Sequence, residues 1–238
     1  MKRLLPLIVL FGLPSALAFH IVGRSGVATV AAGGGQAFSD DFNRADNDSL
    51  GANWTEHVGD QDIVSSNLSH RTNSFGENKV IYSGQACDGV DQYCRVTMNP
   101  IGRYTGVVFR FTDASSPVYR MRWHVSEEQI SWVYQNLGAS PTITVTIQTI
   151  ASVVSSDGQT WGITVDGESD STVVRWWLNP GSTTPSAADN WDGAADYTMS
   201  DNPLSTNRVN TGTYIGFDAF HSQAGDCDMD DFYGGDIP

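Results

Sequence analysis

The chain has 238 residues, with 27 Asp and Glu against 13 Lys and Arg, for a net charge of −14. A surface of that sign repels both a nucleic-acid backbone and an anionic membrane, so neither is an expected partner. Of the acidic residues 22 are Asp and five are Glu, which places the charge mostly in a turn-forming, helix-averse residue suited to loops and to oxygen-rich cation sites.

Lys2 and Arg3 precede an apolar run from Leu4 to Leu13, a break at Pro14 and a small-residue end at Ala18. That is the three-part order of a secretory signal peptide, expected over 1–18, with an extracellular mature chain. The apolar run is well short of the roughly 20 residues that span a bilayer, so no membrane span is expected there or later. Residues 19–37 are small, weakly patterned and end in a glycine-rich stretch, which reads as a flexible lead. A single domain is expected over 38–238.

Within it, short runs rich in Val, Ile, Thr, Tyr and Trp alternate with Gly, Asn, Asp, Pro and Ser clusters at the spacing of an all-β sandwich. Strands are expected over 92–98, 106–111, 118–125, 129–135, 142–149, 159–165, 172–178, 213–217 and 227–233. In 142–149, Ile143, Val145 and Ile147 alternate with Thr142, Thr144, Thr146 and Gln148, predicting one buried and one polar face. Alternation of this kind favours antiparallel pairing. The stretch 179–210 holds Pro180, Pro185 and Pro203 and is too long and polar for a hairpin turn, so it reads as a long loop, where binding functions often sit.

Three cysteines, Cys87, Cys94 and Cys227, in an oxidising compartment predict one disulfide and one free thiol, with the pairing open. Cys87 and Cys94 flank a turn-like stretch, whereas Cys94 with Cys227 would tie an early strand to the last. No Cys/His spacing suggests zinc. The sequons at Asn47, Asn53 and Asn67 matter only in a glycosylating host.

The opening Phe38-Ser-Asp-Asp-Phe-Asn-Arg-Ala-Asp-Asn-Asp-Ser-Leu-Gly-Ala-Asn-Trp54 and the closing Met229-Asp-Asp-Phe-Tyr-Gly-Gly-Asp236, with strand 91–97 and the run Val174-Arg-Trp-Trp-Leu-Asn-Pro180, resemble the concanavalin A-like lectin/glucanase superfamily, and within it LamG-like jelly-roll domains. The resemblance implies an antiparallel jelly-roll β-sandwich whose first and last strands lie side by side. Phe42 and Phe232 would then close one edge of the core, and Asp40, Asp41, Asp230 and Asp231 would gather at its rim. Four adjacent carboxylates repel unless a cation intervenes, so a structural Ca²⁺ is a candidate cofactor there. Neither Asp46-x-Asp48 nor Asp226-x-Asp228 continues as an EF-hand loop.

The superfamily's glucanases show Glu-x-Asp-x-Glu, and this chain has no such motif; the nearest pattern, Asp226-x-Asp228-x-Asp230, lacks the glutamates of a glycosidase pair. A polysaccharide lyase instead needs a base near a positive group that neutralises a uronate carboxylate. Alternation over 118–125 sets Arg120, Arg122 and His124 on one face, opposite Tyr119, Met121 and Trp123. The bland interpretation is a solvated outer face among aspartates; His124, with Arg122 and Arg120, is the candidate catalytic group if the chain is an enzyme. Sugar binding needs stacking aromatics and hydroxyl partners. Trp176 and Trp177 must point to opposite faces, so one is expected to face out, and Trp123, Trp177 and Trp191 are the candidate ligand-binding rings, while Trp54, Trp132 and Trp161 read as core. The expected function is a non-catalytic, secreted carbohydrate-binding protein with a polysaccharide or glycan as partner. The rivals are a polysaccharide-degrading enzyme and a structural or adhesive component of a virion or cell surface, with assembly among like chains an open partner.

Overall fold

In the computed structural model, residues 35–70, 76–98, 104–201, 206–221 and 229–238 are described, all within the unit Ala31–Pro238. The signal-peptide reading, most of the lead, and Cys227 with Asp226 and Asp228 lie outside the described residues. The strands run β1 Ala37–Asp40, β2 Trp54–Val58, β3 Gln61–Val64, β4 Asn67–His70, β5 Gly76–Tyr82, β6 Gln92–Met98, β7 Tyr104–Phe111, β8 Pro117–His124, β9 Gln129–Asn136, β10 Ile143–Ala151, β11 Gln159–Asp166, β12 Val173–Leu178, β13 Tyr197–Ser200, β14 Tyr214–His221 and β15 Met229–Asp236. Among the described residues the only helical turns are two three-residue 3-10 turns.

The strands form two antiparallel sheets. An eight-stranded sheet has the order β13-β12-β11-β6-β15-β4-β3, with β1 also pairing β15, and a seven-stranded sheet has the order β10-β9-β8-β7-β14-β5-β2. The first and last strands do lie side by side, Asp40 opposite Phe232 and Ala37 opposite Gly235. The chain thus forms the antiparallel β-sandwich that the sequence predicts.

Period-two alternation supplies the core between the sheets. Tyr119, Met121 and Trp123 of β8 and Ile130, Trp132 and Tyr134 of β9 face Trp161, Ile163 and Val165 of β11 and Trp176 of β12. The large rings meet edge to face, Trp123 on Trp161 at 4.0 Å and Trp161 on Trp176 at 5.6 Å between centroids, a geometry that the ring quadrupoles favour. At the other end Phe42 and Phe232, both fully buried, pack on Trp54, closing that edge as expected. Trp54, Trp132 and Trp161 are core residues.

Three readings change. The loop over 179–210 contains a strand, β13, which pairs with β12. Strand β10 lies at the edge of its sheet, and a register shift between Thr146 and Gln148 breaks its alternation, so that Ile150 follows Val145 and Ile147 onto the core; Ile143, at the start of this edge strand, is 48% exposed instead of buried. Cys87 and Cys94 are both buried free thiols, each held above its ordinary pKa first by burial.

Candidate functional site

The outer face of the seven-stranded sheet is not a flat, wetted surface. Strands in a sheet are about 4.8 Å apart, so β5 and β9, four spacings away, would stand about 19 Å apart in a flat sheet. Yet Lys79 Nζ on β5 donates to Gln135 Oε1 on β9 at 3.0 Å. Two side chains cannot bridge that gap unless the sheet twists and curls its own outer face into a trough. The cavity lining agrees: one space of about 400 Å³ touches His57 and Val58 from β2, at one edge, and Thr144 from β10, at the other.

Curling explains why the floor is buried without a third layer of core. Ile81, Val108, Phe111 and Val118 form a second apolar cluster there, with Leu137 and Tyr214 against it. Charged residues are buried beside it, with Lys79, Arg120 and Asp218 each 1% exposed. Asp218 accepts from Arg120 Nε at 2.6 Å, from Arg120 Nη2, and from Arg122 Nε at 3.0 Å. Lys79 lies directly across the β5–β14 pair from it. Burial on its own would raise the Asp218 carboxyl, but Arg120, then Arg122, with Lys79 beyond them, outweigh it and hold the group down to about 2. The carboxylate is therefore ionised at any physiological pH.

The predicted face of β8 thus forms, but it is no solvated surface. Arg120 forms part of the trough floor, while Arg122 and His124 keep 14% of their side chains exposed. His124 packs edge to face on Tyr104 at 4.4 Å, and the Arg122 guanidinium lies 5.9 Å from the same ring. Glu127 Oε2 stands 3.6 Å from His124 Nδ1. Arg122, His124 and Tyr104 are thereby one group along the trough.

Two β-bulges shape the other end. On β2 the register passes from Glu56 opposite Val80 to Val58 opposite Lys79, leaving His57 as the extra residue. On β7 it passes from Val108 opposite Gly216 to Phe111 opposite Tyr214, three steps against two, with Arg110 in a left-handed conformation at φ 57°. Without that bulge Phe109 and Phe111 would share a face; with it Phe109 stays in the inter-sheet core and Phe111 enters the trough. The rings of His57 and Phe111 meet there at 4.6 Å. A second space of about 270 Å³ opens over them, lined also by Thr55, Ile81, Ser83, Thr112, Asp113, Ala114 and Tyr214. It shares His57 and Ala114 with the first. Burial, then Lys79, lowers the His57 pKa, so its ring is neutral at pH 7.

The tryptophans proposed as ligand rings lie elsewhere. Trp123 is 1% exposed, inside the main core. Trp177 does point away from that core, as alternation requires, but the loop 179–196 folds back over it. Trp191 of that loop and Tyr93 of β6 bury Trp177 to 3% exposure in a small outer cluster. Two indole N–H groups hold the loop, Trp191 Nε1 on Ser182 O at 2.9 Å and Trp177 Nε1 on Gly193 O at 3.1 Å. Gly162 on β11 makes room, since a Cβ there would stand 2.8 Å from the Trp191 ring.

The four aspartates of the acidic rim do not act alike. Asp40 accepts from Arg44 Nη1 at 2.6 Å, Trp54 Nε1 at 2.8 Å and Phe42 N at 2.8 Å, and so acts as a structural anion. Asp230 is raised by burial, with Asp231 and Asp41 adding to the effect, which places those three carboxylates near one another. Among the described residues no three acidic, His or Cys side chains group as metal ligands.

The sequence did not point to His57, Lys79, Phe111, Gln135 or Asp218. Lone polar residues in short strands carry no periodic signal, and a bulge is invisible to alternation; the adjacent charges of β8 were the readable part.

No protein-family model matches the chain, and no curated protein does. Solved structures that resemble it include a winged bean acidic lectin complexed with methyl-α-D-galactose, at 11% identity over 86% of this chain and 99% of that one, TM-score 0.49. Others are the laminarinase from Rhodothermus marinus, at 11% over 84% and 96%, TM-score 0.48, and carbohydrate-binding module CBM66 from Bacillus subtilis, at 13% over 75% and 91%, TM-score 0.44. Likeness at this level carries no inference about ligand or chemistry.

Proposed function

We propose that this chain is a secreted, non-catalytic glycan-binding β-sandwich and that the trough of the seven-stranded sheet is its binding surface. The observation that carries this is the curl itself: both sheet edges line one cavity of about 400 Å³, within the size range of ligand sites. Its Thr142, Thr144, Gln135 and Lys79 supply hydrogen-bonding groups, and the adjoining apolar floor and rings suit the faces of sugar units.

A second reading is favoured by one specific grouping. Arg122, His124 and Tyr104 pair a cation with two groups able to move a proton, the requirement for eliminating across a uronate whose carboxylate the cation neutralises. In that reading Arg122 binds the carboxylate, His124 takes the proton, and Arg120 holds Asp218 and with it the position of Arg122.

The test is electrophoresis of the chain through gels containing neutral or uronate polysaccharides, with calcium or EDTA, followed by sizing of the polysaccharide. Retardation with unchanged polysaccharide length is the expected result. Shortened chains would replace the binding reading with the lyase one, and no retardation on any glycan would leave a structural or adhesive role. Loss of retardation in EDTA would give the Asp41, Asp230 and Asp231 rim an ion.

A further inference from the structure

Rings from two strands that are not neighbours, His57 of β2 and Phe111 of β7, meet in one space. Alternation from Thr55 already sets His57 on the outer face, and the β7 bulge turns Phe111 into the 270 Å³ cleft beside it. Regular pairing along β7 would send Phe111 to the inter-sheet core. Bulges recur beside functional sites because they re-aim a side chain at a cost in ladder hydrogen bonds. The β7 bulge also sets a non-glycine residue, Arg110, at φ 57°, which is unfavourable for an arginine.

The lining sorts into two kinds of surface. Phe111, nearly buried, and Ile81 form the back; His57 and Tyr214, both half-buried, offer ring surface. Around them stand Thr55, Ser83 and Thr112, all exposed, with Thr55 Oγ1 and Ser83 Oγ 2.8 Å apart. Apolar faces ringed by hydroxyls match a pyranose, which has apolar C–H faces and a polar equator. Lys79 on β5 acts on His57, and the exposed Asp113 carboxylate of the β7–β8 turn lines the same cleft. Asp113 is held in place by Ser115, whose N–H and Oγ both donate to it, and it disfavours an anionic occupant.

We infer that this cleft is a subsite for one uncharged pyranose unit, with His57 and Tyr214 stacking on the sugar over Phe111, and with Thr55, Ser83 and Thr112 meeting its hydroxyls. The inference rests on the glycan-binding reading and narrows it. The neutral unit sits at the β2 end, beside Lys79, with Arg120 and Arg122 of β8 farther across the same sheet.

The experiment is calorimetric titration of the full chain with cellohexaose, laminarihexaose and mannohexaose, comparing wild type with His57→Ala, His57→Phe and Tyr214→Ala. Tryptophan fluorescence and urea midpoints confirm that each variant folds. For a hexaose that wild type binds, His57→Ala and Tyr214→Ala are expected to weaken affinity by about tenfold, the loss of one stacking contact of about 1.4 kcal/mol. His57→Phe should stay within about threefold of wild type, because a ring remains. If wild type binds and His57→Ala with Tyr214→Ala both stay within about twofold, the subsite is overturned while the trough reading stands. If His57→Phe loses as much as His57→Ala, stacking is the wrong account of His57. If wild type binds no hexaose, the inference falls; polysaccharide gels then decide whether the glycan reading falls with it.

Discussion

Replacing Asp218 by Asn removes the carboxylate that Arg120 and Arg122 share and keeps nearly the same shape. Asp218 and Arg120 are each 1% exposed, so the variant leaves a buried guanidinium without that counter-charge. Removing one partner of a buried pair costs roughly 3–5 kcal/mol. An amide oxygen still accepts from one arginine, which places the expected cost near the lower end, about 3 kcal/mol. With a urea slope of about 2–3 kcal/mol per molar, the midpoint should drop by about 1 M, followed through the fluorescence of the core tryptophans. The pH dependence makes the test sharper. The folded Asp218 carboxyl is depressed to about 2 from 3.8, so its stabilisation is fully present above about pH 4 and is lost as pH falls toward 2. That contribution is about 2 kcal/mol. The gap between wild type and Asp218→Asn should therefore be widest at neutral pH and close toward pH 2. A variant within about 1 kcal/mol of wild type at pH 7, or a gap that does not change with pH, would refute the claim that this carboxylate anchors the trough floor.

Glycan affinity at the His57 subsite should hold at pH 7 and weaken only below pH 6.5, since burial, then Lys79, lower that pKa and the ring there binds uncharged; a decline beginning above pH 7 in a pH series of the same titrations would contradict it. Gly162→Ala should displace the Trp191 ring, 2.8 Å from the new methyl, at roughly 1–3 kcal/mol, with a fluorescence change and no change in glycan affinity, because that cluster lies on the other sheet. Arg110→Met should cost about 3 kcal/mol or more in urea unfolding. Its guanidinium donates to Val90 O at 2.9 Å, Val209 O at 2.8 Å and Gly167 O at 2.5 Å, and methionine leaves those carbonyls unmet.

The central strands were legible because both physical signals act there at once. β6 and β11 are apolar on their core faces and bounded by turn residues, so their limits fall within a residue of the expected ones. β2, β3 and β4 are four or five residues long and include polar residues such as Gln61 and Asp62 that are buried by tertiary context, and so they gave no period. Arg120 and Arg122 were legible as a pair on one face, but their burial was not, because curling is a property of seven strands together. Trp191 looked exposed among Asn190 and Asp192. What pulls it down is the bare patch at Gly162, and a glycine in the middle of a strand signals close approach by another group.

Asp236 also has a consequence for how the fold joins other chains. Its carboxylate accepts from Gln36 N at 2.6 Å, Asp88 N at 2.9 Å and Gly89 N at 3.0 Å, clasping the residues just before β1 to those at the end of β15. The two ends of the sandwich therefore leave from one point. Such a body can be spliced into a surface loop of a host protein without stretching it. By the same geometry, a short linker joining residues 36 and 237 would permit a permuted version opened at the exposed turn near Gly158, with the trough untouched.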